Sequence, residues 1–458
     1  MVLSSKKRAV TALLVNISRL LLAAVLLVSG FVKAVDPMGL SYKLGDYAAA
    51  FGVVDIDDGW LLFAATMLSA AEFILGVLLL MGVYKRVVTT LVFIFFLFFT
   101  PFTFILALWN PVRDCGCFGD AFTMSNWATF GKNIVLFLFA TLCCFKRRLF
   151  VRKVSVVNRW MVLLFAICYI SLLEGAALTH LPVIDFRPFY IGSDLRAAVE
   201  DIPAVHKYIY RFEKGGQVME FDEFTYPDST WNYLGSQSLT IEMGKPAKVS
   251  DFAFLDADGE DYAPQILADT GYVCLLVMSS IEKADESRVD KINDMYDYCL
   301  EKKVPFYAAS SSDEDMIEEW RRRTGAEYSV LWADEVMLKT IVRANPGMLL
   351  LKDGIVVGKW NVADLPPVEK CALSSTGMPD KARSIYNYIR GWNKWIVLFV
   401  VPLFIIMFID LVTAAVKWFF HYFSRDAKSN DVSGVVNGEN STDNNKKETI
   451  DLNNNTNL

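Results

Sequence analysis

Histidine is scarce in this chain. Its three copies, His180, His206 and His421, are scattered over 458 residues and give no spacing for an imidazole-built metal site. Charge is sparse too: Asp, Glu, Lys and Arg make up 21% of the sequence, below the roughly 25% usual in soluble domains. The net charge of −6 leaves no basic surface for nucleic acid. Eight cysteines over this length are too few to staple a small secreted scaffold, so each is weighed by position. The excess lies in apolar and aromatic residues, 54% and 14%, gathered into long uninterrupted runs. That is the composition of a membrane protein.

Spanning a bilayer takes roughly 20 mostly apolar residues. The stretches that qualify are Ala9–Phe31, Trp60–Gly82, Val87–Trp109, Trp127–Phe145, Trp160–Thr179 and Trp395–Val416. Trp60, Trp109, Trp127, Trp160, Trp392, Trp395 and Trp418 flank them, as an interfacial aromatic belt requires. The first run reads as a span and not as a cleaved signal peptide, being too long and too weakly followed by a small-residue cleavage site. Lysine and arginine set the orientation. Lys6-Lys7-Arg8, Lys85-Arg86, the run from Lys146 to Lys153, and Lys417, Arg425 and Lys428 share one side, while the opposite short loops hold only Lys33, Lys43 and Arg113. The positive-inside bias then makes both termini cytoplasmic. The loop Asn110–Asn126 and the large segment His180–Lys394 face outward, into the periplasm if the cell is a diderm bacterium. The tail 424–458 is rich in asparagine and poor in large apolar side chains, and is expected to be disordered.

Within the outer segment, residues 185–248 read as a small β-rich subdomain. From about Val249 the rhythm is α/β: a strand and turn at Asp251–Gly259, and a buried strand at Gly271–Met278. A helix at Ser287–Glu301, a strand at Pro305–Ala309 and a helix at Glu314–Arg323 follow. A hairpin over Gly347–Trp360 turns at Asp353-Gly354. This segment, 249–372, resembles a thioredoxin-like domain, with Asn345-Pro346-Gly347 where that family carries its cis-proline. Where the family's Cys-x-x-Cys belongs, Ser279-Ser280-Ile281-Glu282 stand instead. A fold without its thiols points to a docking module. Cys274 and Cys299 read as buried small hydrophobes. Cys371, after the hairpin, has no base or partner nearby in sequence.

The chemistry-bearing motif is Asp114-Cys115-Gly116-Cys117-Phe118-Gly119 in the outward loop between the third and fourth spans. Two cysteines flanking one glycine can close a very small ring, and glycine best adopts the angles it needs. Strained or exposed disulfides are the labile, oxidising ones, so the pair suits exchange. A merely structural disulfide or dithiol is the plainer alternative. Metal would want four ligands, and the loop has no other Cys or His. Cys143-Cys144 lie about 24 Å away along the fourth span at 1.5 Å per residue, out of reach, and Cys168 reads as lipid-embedded packing. Inside the apolar runs, Arg19 and Glu72 fall at similar depth, where a charge costs roughly 2.5–3.5 kcal/mol, so the two are expected to pair. That pair is either a structural ion pair or a proton or quinone-headgroup site. Glu174 and Asp410 are further acids without an evident partner, and Lys33 is expected to snorkel to the outer headgroups.

Residues 17–146 resemble the DoxX-like and MauE families of four-helix membrane proteins. The resemblance rests on Arg19-Leu20, Ser29-Gly30-Phe31-Val32-Lys33, Glu72, Gly76 and Gly82, and above all on the Asp-Cys-Gly-Cys-Phe-Gly loop. It implies a role in making or reshuffling disulfides of exported proteins, as in methylamine metabolism. Some DoxX relatives imply quinone as acceptor. The expected fold is therefore an α-helical polytopic membrane protein. It comprises a four-helix DoxX/MauE-like bundle (9–146), two further spans (160–179 and 395–416) and an extracytoplasmic α/β thioredoxin-like domain. The expected function is thiol–disulfide exchange through Cys115 and Cys117 with an exported thiol-containing protein or soluble redox partner, at the bacterial inner membrane. Two alternatives compete: a non-catalytic membrane anchor that docks an envelope complex, and a quinone-linked DoxX-type subunit.

Overall fold

The computed structural model describes residues 5–53, 56–112, 116–201, 205–222, 230–242, 247, 249, 251–367 and 391–419. Arg113, Asp114, Cys115, Cys371 and the tail 424–458 lie outside the described residues.

Among the described residues, six helices are long and apolar enough to cross a membrane, which makes this a membrane protein. They are α1 (Ser5–Val35), α3 (Asp58–Met81), α4 (Lys85–Trp109), α5 (Asn126–Phe145), α6 (Arg159–Thr179) and, last in the chain, α12 (Gly391–Phe419). Each begins one to four residues before the expected span, and the ends agree within four residues. Sequence reading missed α2 (Pro37–Ala50), a non-spanning helix in the first loop. Asp36 caps it by accepting from Gly39 N at 2.9 Å, and Pro37 opens it. Gly82 ends α3 in the left-handed conformation.

Helices α1 and α3 run antiparallel in close contact because glycine replaces side chains at their seam. A Cβ on Gly30 would lie 2.5 Å from Phe73 N, and one on Gly76 2.8 Å from Leu27 N. Small residues let helix backbones approach in this way where lipid supplies no hydrophobic drive. Phe73 stacks on Tyr169 of α6, which in turn meets Phe399 of α12. Glu174 and Asp410, which had no partner on sequence grounds, have partners here. Ser69 Oγ donates to Glu174 Oε1 at 2.6 Å, and Asn158 Nδ2 and Ser155 N donate to Asp410.

The α/β body is a five-stranded sheet of order β6-β5-β4-β7-β8, built from β4 (Tyr272–Met278), β5 (Phe306–Ser310), β6 (Val330–Trp332), β7 (Gly347–Lys352) and β8 (Ile355–Asn361). β4, β5 and β6 pair in parallel, while β7 joins β4 and β8 antiparallel. Helices α8 (Ala263–Ala268), α9 (Val289–Lys302), α10 (Glu314–Thr324) and α11 (Glu335–Ile341) cover the faces. The unbroken apolar run of β4 follows from burial on both sides: Val273, Leu275 and Val277 enter one core, and Cys274, Leu276 and Met278 the other. Asn345–Pro346 is cis, at the entrance to β7. A parallel βαβ unit followed by a cis-proline and an antiparallel hairpin is the expected thioredoxin-like order.

Three boundaries need correction. Asp251–Phe254 is not a strand; the local pairing is two isolated bridges from Leu255, to Asp261 and Trp332. Strand β6 and helices α8 and α11 were not foreseen; the longest of them has seven residues, too short for a periodic signal. Residues 185–248 are not one subdomain. Phe189, Leu195 (in α7, Leu195–Val199) and Ala198 belong to the α/β core, and Val356 N donates to Ser193 O. Among the described residues, β1 (Val205–Lys214), β2 (Gln217–Phe221) and β3 (Asn232–Glu242) form a second sheet, in the order β2-β1-β3.

Candidate functional site

The loop carrying Cys117 is a run of tight turns. Gly119 N donates to Gly116 O and Ala121 N to Phe118 O, with Gly116 and Gly119 both at positive φ. A Cβ at Gly116 would meet Lys43 Cδ at 2.7 Å, a contact the lysine can relieve by moving, so it is the positive φ that favours glycine between the two cysteines. Lys43 Nζ, from α2, holds Asp120 at 3.2 Å. Lys132 Nζ, from α5, lies 4.4 Å from the centroid of the Phe118 ring.

Beneath the loop is a buried polar cluster between α1 and α3. Lys33 Nζ lies 2.6 Å from Glu72 Oε1 and donates to Ser29 Oγ at 3.1 Å. Ser29 Oγ is 2.6 Å from Glu72 Oε2 and 2.7 Å from the Cys117 carbonyl oxygen. Its single proton serves one of these acceptors at a time. The cluster thus ties the backbone of a motif cysteine to an intramembrane ion pair through one hydroxyl.

The arrangement replaces two expectations. Arg19 and Glu72 do not pair. Gly30 facing Phe73 and Gly76 facing Leu27 set a register in which Glu72 is level with residue 31, twelve residues from Arg19, or about 18 Å along the helix. Side chains also lean toward the N-terminus of their own helix, so in antiparallel helices Arg19 and Glu72 point away from each other while Lys33 leans down to Glu72. Arg19 instead donates to Val151 O at 2.6 Å and sits over Phe150. Lys33 does not snorkel: its side chain is 6% exposed. Ser29 and Lys33, one turn apart on an apolar helix, were the available signal.

A cavity of about 240 Å³ opens at this cluster. Phe95, Phe98, Phe99 and Phe102 of α4 supply its apolar wall, and Ser29, Lys33, Glu72, Lys132, Asn133 and Cys117 gather at its polar end. Aromatic and aliphatic lining with a few convergent polar groups is the usual form of a small-molecule site.

The α/β domain sits directly over the loop. Arg343, three residues before Pro346, places Nε 3.0 Å from Asp36 Oδ2 and Nη2 3.4 Å from Asp120 Oδ2, with its side chain only 6% exposed. Burial would lower its guanidinium pKa, but Asp36 and Asp120 hold it above the ordinary value. Lys283 bonds Asp58 at 2.6 Å, and Asn345 Nδ2 donates to Ser280 O. The face that carries thiols in thioredoxins, here Ser279-Ser280 beside the cis-proline, is therefore turned toward the membrane domain. Cys274 and Cys299 are buried, as expected; Cys143 is buried near Val15 O, and Cys168 lies exposed on the outside of α6. Among the described residues no cluster of His, Cys, Asp and Glu is fit for a metal.

Residues 11–146 match the family model for methylamine utilisation protein MauE. The MauE match takes in the Cys117 loop, the Lys33–Glu72 cluster, Arg19 and the cavity wall, and stops before α6. The α/β domain and the last two spans lie outside it. No curated protein matches the chain. A solution structure of a candidate protein disulfide isomerase from Bacteroides thetaiotaomicron is similar at 14% identity and a TM-score of 0.22, over 26% of this chain and 78% of that one. The thioredoxin-like character of residues 251–367 stands on strand order and the cis-proline alone.

Proposed function

We propose that this protein is a membrane thiol–disulfide redox protein, placed in the bacterial inner membrane with residues 180–394 outside the cytoplasm. Cys115 and Cys117 exchange disulfides with exported thiol-containing proteins. The observation that carries this reading is the seating of Cys117: its carbonyl is bound by Ser29 of the buried Lys33–Glu72 cluster, and it borders the cavity. A purely bracing disulfide needs neither.

In the oxidising direction, a substrate thiolate attacks one sulfur of the Cys115–Cys117 disulfide and expels the other as thiolate. The second substrate thiol, deprotonated, then attacks the substrate sulfur of that mixed disulfide and expels the bonded motif cysteine as thiolate, leaving substrate disulfide and a reduced pair. Reduction of a substrate is the microscopic reverse. A quinone in the cavity would supply a two-electron acceptor for the reduced pair. The phenylalanine wall would hold its ring and tail, and Lys33, Lys132 and Asn133 would offer it polar hydrogens. Glu72 and Ser29 keep Lys33 in place. Lys132 adds positive charge near the loop, which favours the attacking thiolate.

Thiol trapping in membranes tests this. Cys115→Ala should leave Cys117 able to capture a mixed-disulfide partner that reductant releases. If the wild-type pair keeps one redox state under every physiological reductant and oxidant, exchange is refuted. The second reading, a membrane anchor for an envelope complex, is favoured by Ser279-Ser280 standing where thiols would be, and such an immovable pair would leave that reading in place.

A further inference from the structure

Within the α/β domain, two cysteines far apart in sequence meet. Cys274 lies near the start of β4 and Cys299 on the buried face of α9. Their sulfurs are 3.5 Å apart, and the residues are 2% and 0% exposed. A disulfide needs about 2.05 Å between sulfurs, so closure asks for roughly 1.5 Å of side-chain movement between two fixed backbones. Both positions are held from either side: Cys274 N donates to Pro305 O, and Val304 N donates to Cys299 O. The pair sits at the opposite end of β4 from Ser279-Ser280 and is closed off by core residues including Met295, Leu276 and Leu350. This placement removes it from any exchange with a visiting protein.

We propose that Cys274 and Cys299 form an intradomain disulfide in the mature protein, a crosslink between the central strand and its covering helix. The inference rests on the outward placement of this domain in the reading above, because an oxidising compartment is where such a pair closes and persists. The oxidant is a protein disulfide of that compartment, acting before α9 packs onto β4. One of the two thiols, as thiolate, attacks a sulfur of the oxidant and expels a thiolate from it. The remaining cysteine, losing its proton, then attacks the sulfur of the first and releases the oxidant's second thiolate. Two electrons leave this chain, the oxidant's disulfide becomes two thiols, and the two protons end on those thiols. The crosslink closes a separation of 25 residues, which restricts the unfolded domain more than the folded one.

The full-length protein is isolated from its membrane, denatured in excess alkylating reagent without reductant, and mapped by mass. The expected result is a linked peptide pair carrying residues 274 and 299, unlabelled until reductant is added. Reductant should also lower the thermal midpoint of the domain in the wild type but not in Cys274→Ala/Cys299→Ala. Full labelling of both cysteines without prior reduction overturns the inference, whatever the variants do. Labelling of an exposed Asp258→Cys by a membrane-impermeant reagent separates the two proposals. If Asp258→Cys is labelled from outside while the pair is reduced, the crosslink fails and the topology survives. If it is protected while the pair is linked, the crosslink stands and the topology fails.

Discussion

Lys33 Nζ and Glu72 Oε1 face each other at 2.6 Å across the seam of α1 and α3, with side chains 6% and 3% exposed. Neither group can be explained by surface chemistry. A charge at bilayer depth costs several kcal/mol unless it is paired, and here Ser29 accepts from Lys33 and shares its one proton between Glu72 and the Cys117 carbonyl.

Breaking one half of that pair should be worse than removing both. Lys33→Met leaves a buried carboxylate facing apolar side chains, with an expected loss of about 3–5 kcal/mol. Lys33→Met/Glu72→Met replaces two charges by side chains of similar bulk and should recover most of it. Denaturant unfolding in detergent measures both. An additive double variant would mean that the pair contributes nothing as a pair.

Arg19 lies at a different level and should separate stability from chemistry. Arg19→Leu removes a bond to Val151 O and the cation over Phe150, a charge-assisted contact of about 1.5–3 kcal/mol. Capture of partners by Cys117 in Cys115→Ala should be unchanged by it, because the loop is anchored by Ser29 and not by Arg19. Loss of trapping in a folded Arg19→Leu protein would tie Arg19 to the thiols after all.

The spans and the α/β rhythm were legible because each has a local signature, an apolar run of fixed length and an uninterrupted β-strand, while the cis-proline was expected only through the resemblance to thioredoxin-like domains. Depth counting along α1 and α3 was not enough to pair Arg19 with anything. The seam glycines set the register and the Cβ tilt set the direction, and neither appears in a hydropathy profile. Helix α2 was hidden because its apolar face is short and its cap, Asp36, looked like one more loop acid. Arg343 was invisible for another reason. Its partners, Asp36 and Asp120, lie more than 200 residues away, and only the docking of the two domains brings them together.

That docking gives a prediction of its own. Arg343 bridges α2 and the Cys117 loop from the cis-proline side, so Arg343→Gln should loosen the cap by about 3 kcal/mol and speed alkylation of Cys117 in intact membranes. Arg343→Lys should not restore the slow rate, because a point charge cannot reproduce a fork that spans two carboxylates. Asp36→Asn should act in the same direction, more weakly, since Asp120 remains. Identical alkylation rates in all four proteins would show that the domain does not shield the loop.

The last prediction concerns acid. Asp185 accepts from Arg187 Nε at 2.8 Å and pairs with Lys359 at 2.5 Å, all three side chains being under 10% exposed. Burial alone would raise the Asp185 carboxyl, but Lys359 and Arg187 hold it below its ordinary 3.8. Burial pushes the Lys359 ammonium down to about 8, which still leaves it charged at neutral pH. Below 3.8 the unfolded chain takes up a proton at Asp185 that the folded chain still refuses. The pair's contribution to stability is therefore complete above that pH and is lost as pH falls through the folded value. On the alkaline side Lys359 has the same sign: between about 8 and 10.5 the unfolded chain again holds the extra proton, so stability rises with pH there too. Thermal midpoints of the α/β domain should trace both limbs. Asp185→Asn should lower the plateau by about 3–5 kcal/mol, because it strands two buried cations, and should flatten the acid limb. An acid limb of unchanged steepness in Asp185→Asn would assign the titration to another carboxylate.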